Sequence, residues 1–231
     1  MIIYGKNPIK EAILAEKTIN KIYIQKGLKD VSDIILLAKE NKLVVVESDK
    51  FKLDKLTEGK SHQGLVALVT DFIYSEVDEL IEDTSVIVVL DKIEDPHNLG
   101  AIIRTVECLG ASGVVIQKRN SAQVTDTVEK VSAGAINYVK VARVINITET
   151  IKYLKQKGYW IYGMDMDGSD ITKVEFDKKT VLVIGNEGEG ISRLVKENCD
   201  FLVKINMTGK INSLNASVSA AIGINEIVSK R

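Results

Sequence analysis

The chain has 231 residues, a hydrophobic fraction of 45%, a charged fraction of 27% and a formal net charge of −1. These values are ordinary for a globular protein and exclude a disordered or collagen-like chain. No apolar run reaches the roughly 18–20 residues needed to cross a bilayer, and the N-terminus lacks the layout of a signal peptide. Cys108 and Cys199 lie in apolar stretches, which favours a reducing compartment, and we expect a cytoplasmic protein.

The first 70 residues alternate between helical and extended patterns and predict a small α/β sandwich. The predicted helices cover residues 6–15, 31–40 and 49–56, and the predicted strands cover 21–25, 43–47 and 64–69. This part contains 12 lysines and nine acidic residues, a balance of +3, whereas the rest of the chain carries −4. A mildly basic surface suits phosphate contacts, although a solvated lysine-rich surface explains it as well.

Residues 71–83 contain six acidic side chains and no basic one. This composition predicts an acidic linker over residues 71–84. Beyond it, β-branched runs typical of buried parallel strands alternate with helical patterns. The predicted strands are 86–90, 113–116, 137–141, 160–164, 180–185 and 201–205, and the predicted helices are 98–109, 122–131, 148–157, 190–198 and 213–229. This order indicates an α/β domain with a mostly parallel sheet, in which ligands bind at the carboxyl ends of strands.

The first polar loop at a strand end has the sequence DKIEDPHNLGAIIRTVECLG at residues 91–110. Asn98 is predicted to cap the helix that follows. Arg104 lies on that otherwise apolar helix, where an arginine needs either an anionic partner or an opening to a site. A surface ion pair with Glu107, three residues on, is the alternative.

The second loop, GNEGEG at residues 185–190, joins a β-branched strand to a predicted helix. Its glycines allow close approach of a ligand to the backbone. Glu187 and Glu189 would repel a pyrophosphate, and the glycine spacing is not that of a dinucleotide site. A cationic ligand or a neutral ribose fits better, and a tight turn without a ligand is the alternative.

The third loop, within residues 203–227, leads into a helix crowded with alanine, serine and glycine. Small side chains allow close approach of another chain or of a neighbouring loop. Ser213 by itself is most simply explained as the residue that caps this helix.

Together the three loops resemble the three motifs of the SpoU/TrmH family of RNA ribose 2′-O-methyltransferases, in the SPOUT class. The resemblance covers residues 86–230. Residues 1–70, including GKNPIKEAI at 5–13 and SHQGLVALV at 61–69, look like the small RNA-binding domain of one branch. That branch includes a bacterial enzyme that methylates a guanosine ribose in 23S ribosomal RNA. The resemblance thus implies an RNA substrate-binding domain over 1–70 and a methyltransferase domain over 85–231.

The resemblance also implies a C-terminal trefoil knot, a homodimer, no metal, and S-adenosylmethionine as the cofactor. Family positions that contact the cofactor match Gly185, Glu187, Gly188, Ile205, Met207 and Leu214. Positions that carry catalysis and substrate placement match Asn98, Arg104, Glu187, Ser213 and Asn215.

Two positions depart from the family pattern. Asn206 stands where proline is usual, which removes a conformational restraint beside the cofactor loop, and Ala216 stands where valine is common. Arg104 is the family's suggested base, but a guanidinium keeps its proton at ordinary pH. We therefore expect Arg104 to bind a phosphate and to stabilise the developing alkoxide.

Two other functions remain open from the sequence. A transfer-RNA ribose methyltransferase keeps the chemistry and changes the RNA. A catalytically inactive RNA-binding or ribosome assembly factor keeps the fold alone, and the retained motif residues argue against it. An NAD-dependent enzyme is disfavoured because the phosphate-binding glycine pattern is missing.

Overall fold

The computed structural model describes residues 2–15, 17–29, 31–69, 72–210 and 213–230. The chain forms two compact units. The first unit combines the residues up to 73 with residues 124–138, and the second contains residues 74–123 and those from 139 onward. The predicted domain boundary at residues 70 and 71 lies outside the described residues.

The first unit is a four-stranded sheet with helices on both faces. Its strands have the spatial order β1-β4-β2-β3, in which only the β2–β3 pair is parallel. The strands are β1 (Ile2–Tyr4), β2 (Ile19–Gln25), β3 (Val45–Ser48) and β4 (Leu65–Val69). The helices from its N-terminal part are α1 (Lys6–Leu14), α2 (Ser32–Glu40) and α3 (Lys50–Leu56). The α/β prediction is confirmed, and β1 was not predicted because three residues are too few to show alternation.

Two apolar clusters lie on the two faces of this sheet. One joins α1 and α2 to the sheet through fully buried side chains such as Ile9, Ile22 and Ile34. The other places Leu53 of α3 against Tyr4, Tyr23 and Val66. Burying such side chains contributes roughly 1.5–3 kcal/mol each, so these clusters hold the helices on the sheet.

The second unit contains a six-stranded parallel sheet, which confirms the predicted architecture. Its spatial order is β10-β8-β9-β5-β6-β7. The strands are β5 (Ser85–Leu90), β6 (Gly113–Gln117), β7 (Lys140–Val144), β8 (Trp160–Asp170), β9 (Lys179–Ile184) and β10 (Phe201–Lys204). Every residue of β5 is buried, as expected for a central strand covered on both faces.

The remaining helices are α4 (Pro96–Leu109), α5 (Asp126–Val131), α6 (Ile147–Gln156), α7 (Arg193–Glu197) and α8 (Ala216–Ser229), of which α5 belongs to the first unit. The predicted cap at Asn98 is wrong. Asp95 caps α4 by accepting a hydrogen bond from the His97 amide. Pro96 occupies the first helical turn, where the N–H group that proline lacks would have no partner within the helix.

Three predicted boundaries shift for local reasons. The helix predicted from 190 begins at Arg193, and the helix predicted from 213 begins at Ala216. Asn215 caps the latter through its side-chain oxygen, which accepts from the Ser217 amide, so Ser213 is not the cap. The strand predicted over 137–141 begins at Lys140, because a short 3-10 helix occupies Ala135–Asn137.

Part of the segment predicted as an acidic linker is folded into the second unit. Val77–Leu80 forms a 3-10 helix closed by reciprocal hydrogen bonds between Glu76 and Glu79. Leu80 is fully buried against the core around β5 and β6. Val77 and Ile81 pack against the same core, while the acidic side chains of Glu76, Asp78 and Glu79 are exposed. A count of acidic residues does not reveal this division.

The pairing between β8 and β10 is irregular. Leu202 of β10 pairs with Gly163, but the next residue, Val203, pairs with Ser169. Residues 164–168 of β8 therefore lie outside the ladder. Gly168 permits this, because a Cβ atom there would meet the Val203 nitrogen at 2.4 Å.

Candidate active site

A cleft of about 580 Å³ opens in the second unit beyond the carboxyl ends of β9 and β10 and along the unpaired part of β8. This is the edge at which parallel sheets bind ligands. All six residues predicted to contact a cofactor line it: Gly185, Glu187, Gly188, Ile205, Met207 and Leu214. The second and third loops of the sequence analysis therefore meet at one place.

The loop after β9 is closed by backbone and side-chain hydrogen bonds. Asn186 and Gly190 exchange both backbone bonds, at 3.1 and 2.9 Å. The Asn186 side-chain oxygen accepts from the Gly188 amide at 2.8 Å, and its amide nitrogen donates to the Lys92 carbonyl at 3.0 Å. Asn186 was not singled out from the sequence, yet it ties this loop to the loop after β5.

Gly185 is required by close approach of the chain to itself. A Cβ atom at this position would lie 2.1 Å from the carbonyl carbon of Gly190. The helix predicted to start at residue 190 does not begin at this loop, because α7 begins only at Arg193 and the Ser192 amide donates to the Asp91 carboxylate at 2.7 Å. The glycines allow a compact turn, and this turn forms one wall of the cleft.

The cleft is lined by more carboxylates than ammonium groups. The acidic side chains are Asp165, Asp167, Glu187 and Glu189, and the basic ones are Lys196 and Lys204. This balance favours a ligand with a positive centre and disfavours a pyrophosphate, in agreement with the sequence interpretation.

One ion cluster holds the unpaired part of β8 against α7. The Lys196 ammonium group lies 2.9 Å from a carboxylate oxygen of Asp165 and 2.9 Å from one of Asp167. The hydrogen bond that Lys196 donates to Asp165 is the main cause that raises the pKa of Lys196, and the same ammonium group lowers the pKa of Asp167. None of the three was singled out from the sequence: Asp165 and Asp167 follow a strand that was predicted to end at 164, and Lys196 lies in a predicted helix.

Asn206, the departure from the family pattern, makes a specific contact. Its side-chain amide donates to a carboxylate oxygen of Asp170, at the end of β8, at 2.6 Å. The other oxygen of Asp170 accepts from the backbone and the hydroxyl of Thr172, at 3.0 and 2.7 Å. Hydrogen bonds from Thr172, and after them the one from Asn206, hold the pKa of Asp170 below its usual value. The flanking residues Ile205 and Met207 line the cleft.

The first loop reaches the cleft through one hydrogen bond. The buried Asn98, on α4, donates its side-chain amide to the carboxylate of Glu187. Glu187 lines the cleft, so the two loops are linked although 89 positions separate these residues. Ser213 also lines the cleft.

Arg104 and Asn215 are not among the residues that line the cleft. Arg104 is exposed on α4, and within the part of the chain that the structure describes it has no carboxylate within 4.0 Å, so the alternative of an ion pair with Glu107 is not formed. Asn215 is occupied as the cap of α8. A single chain therefore brings Asn98, Glu187 and Ser213 together and leaves Arg104 apart.

The described residues lack two kinds of feature. They contain no group of three or more histidine, cysteine or acidic side chains placed to hold a metal ion. None of their helices is both long and apolar enough to span a membrane.

Two family models match the chain. The model of the SpoU rRNA methylase family matches residues 85–225, and a model described as RNA 2′-O ribose methyltransferase substrate binding matches residues 2–75. A protein of Staphylococcus haemolyticus, named for the TrmH family of tRNA/rRNA methyltransferases, is 46% identical over 240 residues, covering 100% of this chain and 96% of the relative. A similarly named protein of Staphylococcus epidermidis is 44% identical with the same coverage.

Solved structures agree in fold. The SpoU methyltransferase AviRb from Streptomyces viridochromogenes, in complex with the cofactor AdoMet, has a TM-score of 0.88 at 24% identity, covering 99% of this chain and 89% of that one. A TrmH/SpoU tRNA modifying enzyme of A. aeolicus has a TM-score of 0.60 at 28% identity and covers 65% of this chain and 77% of its own.

Proposed function

Since the chain belongs to the SpoU rRNA methylase family, we propose that it transfers a methyl group from S-adenosylmethionine to a ribose 2′-hydroxyl of RNA. The observation that carries this proposal is the cleft, in which two separate loops and the unpaired part of β8 meet. The finer proposal is that the substrate is a guanosine of 23S ribosomal RNA and that the enzyme acts as a homodimer in the cytoplasm.

The lining of the cleft fits S-adenosylmethionine. The molecule carries a sulfonium cation, and the excess of carboxylates on the walls favours a positive centre there. Gly185 and Gly188 place backbone close to the ligand, and Ile205, Met207 and Leu214 provide apolar contact. When bound, the cofactor supplies an electrophilic methyl group.

The protein's task is to orient the ribose and to favour the loss of its hydroxyl proton to water. Methyl transfer is an in-line displacement, for which alignment within about 3–3.5 Å supplies much of the acceleration. Glu187, fixed by Asn98, and Ser213 stand at the cleft as ribose-binding groups. Arg104 acts by binding the adjacent phosphate and stabilising the developing alkoxide, since a guanidinium is a poor base.

The exposed position of Arg104 supports an active site completed by a second subunit. Arg104 is exposed on α4, lies outside the cleft of its own chain and is paired with no carboxylate of the described residues, so it is available to a neighbouring copy. The trefoil knot and the division into an RNA-binding domain (1–70) and a methyltransferase domain (85–231) stay predictions.

A transfer-RNA substrate is the second candidate. It is supported by the names of the relatives, which include both tRNA and rRNA, and by the likeness to a tRNA modifying enzyme. The match of residues 2–75 to a substrate-binding model fits either RNA.

Transfer of labelled methyl groups to defined RNAs tests the proposal. Fragments of 23S ribosomal RNA and bulk transfer RNA, both unmodified, are incubated with the protein, and the label is located by nuclease digestion. We expect label on a ribose 2′-oxygen of the ribosomal fragment. Label on transfer RNA alone would support the second candidate. Absence of S-adenosylmethionine binding by isothermal titration of the folded protein would support the inactive assembly factor.

A further inference from the structure

A row of side chains crosses the sheet of the first unit on the face covered by α3. The register pairs Tyr4 of β1 with Val66 of β4, and Val66 with Tyr23 of β2. Residues paired across neighbouring strands point to the same face, so both tyrosine rings lie on this face about two strand spacings apart, roughly 10 Å. Both tyrosines are largely buried.

Lysine ammonium groups cover the two rings. The Nζ atom of Lys130 lies 4.8 Å from the centre of the Tyr4 ring, and those of Lys52 and Lys21 lie 4.9 and 6.0 Å from the centre of the Tyr23 ring. The three lysines come from α5, α3 and β2, and all belong to the first unit. They and the two tyrosines are here called the lysine-covered face.

These three lysines have no acidic partner within the described residues, in contrast to several other lysines of the same unit. Lys6, Lys17 and Lys60 form ion pairs with carboxylates. Over the described ranges, no carboxylate lies within 4.0 Å of the Nζ atom of Lys21, Lys52 or Lys130, although Lys130 donates to the Ser61 carbonyl at 3.2 Å. Three positive charges are thus held together by aromatic rings and left available to an anion.

An exposed aromatic side chain lies on the same helix as one of these lysines. Phe51 immediately precedes Lys52 in α3, and 79% of its surface is exposed. A phenylalanine that exposed gains nothing from the core, whereas it offers a face on which a nucleobase can stack. Exposed aromatics beside lysines are the pattern of surfaces that bind single-stranded or looped RNA.

We propose that the lysine-covered face, with Phe51, is the surface by which the first unit holds its RNA. The ammonium groups contact phosphates, and Phe51 stacks on an unpaired base. The proposal rests on the proposed function, because it takes RNA as the substrate, and it adds which side of the unit carries the contact.

Charge removal on the full-length protein tests the proposal. In one variant Lys21, Lys52 and Lys130 are all changed to glutamine. In a matched control, Lys29, Lys39 and Lys42, which lie outside this face and for which the described residues provide no ion pair, are changed to glutamine and remove the same charge. Binding of a labelled 23S ribosomal RNA fragment is measured over a series of salt concentrations, with S-adenosylmethionine binding and thermal unfolding as checks on the fold.

We expect the first variant to bind RNA on the order of tenfold to a hundredfold more weakly at low salt, with a salt dependence reduced by about one unit of slope per lost phosphate contact. The control should change little, and cofactor affinity should be unchanged in both. Phe51→Ala should weaken RNA binding without altering the salt slope. Equal losses in the two triple variants would overturn the proposal, whereas failure of the unmodified protein to bind any RNA would overturn the proposed function itself.

Discussion

At the scale of single residues, Asn98 and Glu187 show how two distant loops become one site. Neither side chain is informative alone, since asparagine commonly caps helices and glutamate commonly lies on turns. Asn98 is buried and its amide has the Glu187 carboxylate as its partner. A buried amide without a partner would cost about 1–3 kcal/mol, so this contact fixes the orientation of Glu187 at the cleft.

Replacement of Arg104 separates catalysis from cofactor binding. Arg104→Ala is expected to reduce methyl transfer at least a hundredfold, on the scale of a lost group that stabilises developing charge. The affinity for S-adenosylmethionine, measured by titration, should stay within about twofold, because Arg104 does not line the cleft. Arg193→Ala, which removes an exposed arginine of α7, is the matched control. Near-normal turnover of Arg104→Ala would refute the catalytic assignment.

Asn206 is expected to take over part of the restraint that proline gives elsewhere in the family. Because its amide holds the Asp170 carboxylate beside the cofactor loop, Asn206→Ala should weaken S-adenosylmethionine binding by about 1 kcal/mol. Asp170→Ala should act similarly, and the double variant should be no worse than the worse single one. Titration of the four proteins measures this coupling. Strictly additive losses would mean that the two side chains act independently.

At the scale of elements, the loop after β9 is a closed turn whose shape depends on Gly185. Gly185→Ala would force a Cβ atom against Gly190, which costs about 1–3 kcal/mol as overpacking or displaces the loop. We expect lower thermal stability and weakened cofactor binding. Gly209→Ala is the control, since nothing lies within 4 Å of its added Cβ atom. Unchanged cofactor binding in Gly185→Ala would show that this loop does not contact the cofactor.

The sequence did not predict where strand β8 ends. Its first residues form an apolar run that predicts a strand ending at 164, while the ladder resumes at Ser169 after an unpaired stretch. Lys196 and the carboxylates of Asp165 and Asp167 stabilise that stretch. Polar residues that lie outside a ladder look like an ordinary loop in the sequence, and only their ion partners show that they form a cleft wall.

At the scale of the whole molecule, residues 124–138 belong to the first unit although they lie far from its other residues in sequence. An ion pair between the partly buried Lys17 and the buried Glu129 links the segment to the N-terminal residues. Glu129→Ala would leave Lys17, whose side chain is only 13% exposed, without this partner, so we expect a loss of roughly 2–4 kcal/mol in the free energy of unfolding. Asp126→Ala, which breaks the more exposed pair with Lys60, should cost at most about 1 kcal/mol. Denaturant unfolding compares the two variants.

Ionisation of the Glu129 carboxylate makes the free energy of unfolding depend on pH. Burial raises the pKa of Glu129 from its usual value of 4.5, an effect that Lys17 opposes without cancelling. The folded state therefore holds this proton more tightly than the unfolded state, so the contribution is fully present below pH 4.5 and is lost as the pH rises through the raised pKa. Glu129→Gln should lack this dependence. An identical pH profile of unfolding in both proteins would contradict the assignment.

The sequence by itself determined the class of fold and the mostly parallel sheet of the second unit, because buried parallel strands appear as β-branched runs. The six predicted cofactor residues, which line the cleft, came from the resemblance of the three loops to family motifs. The motif spacing also led to the family, which the family models confirm.

Only the tertiary structure decided which residues complete the site and how the chain divides. The contacts of Asn98 with Glu187, of Asn206 with Asp170 and of Lys17 with Glu129 each join positions that are distant in the chain. Local patterns reflect the energetics of neighbouring residues, whereas such contacts depend on which surfaces pack together. The helix caps show the same limit. The sequence predicted caps at Asn98 and Ser213, whereas in the folded chain Asp95 and Asn215 accept the capping hydrogen bonds.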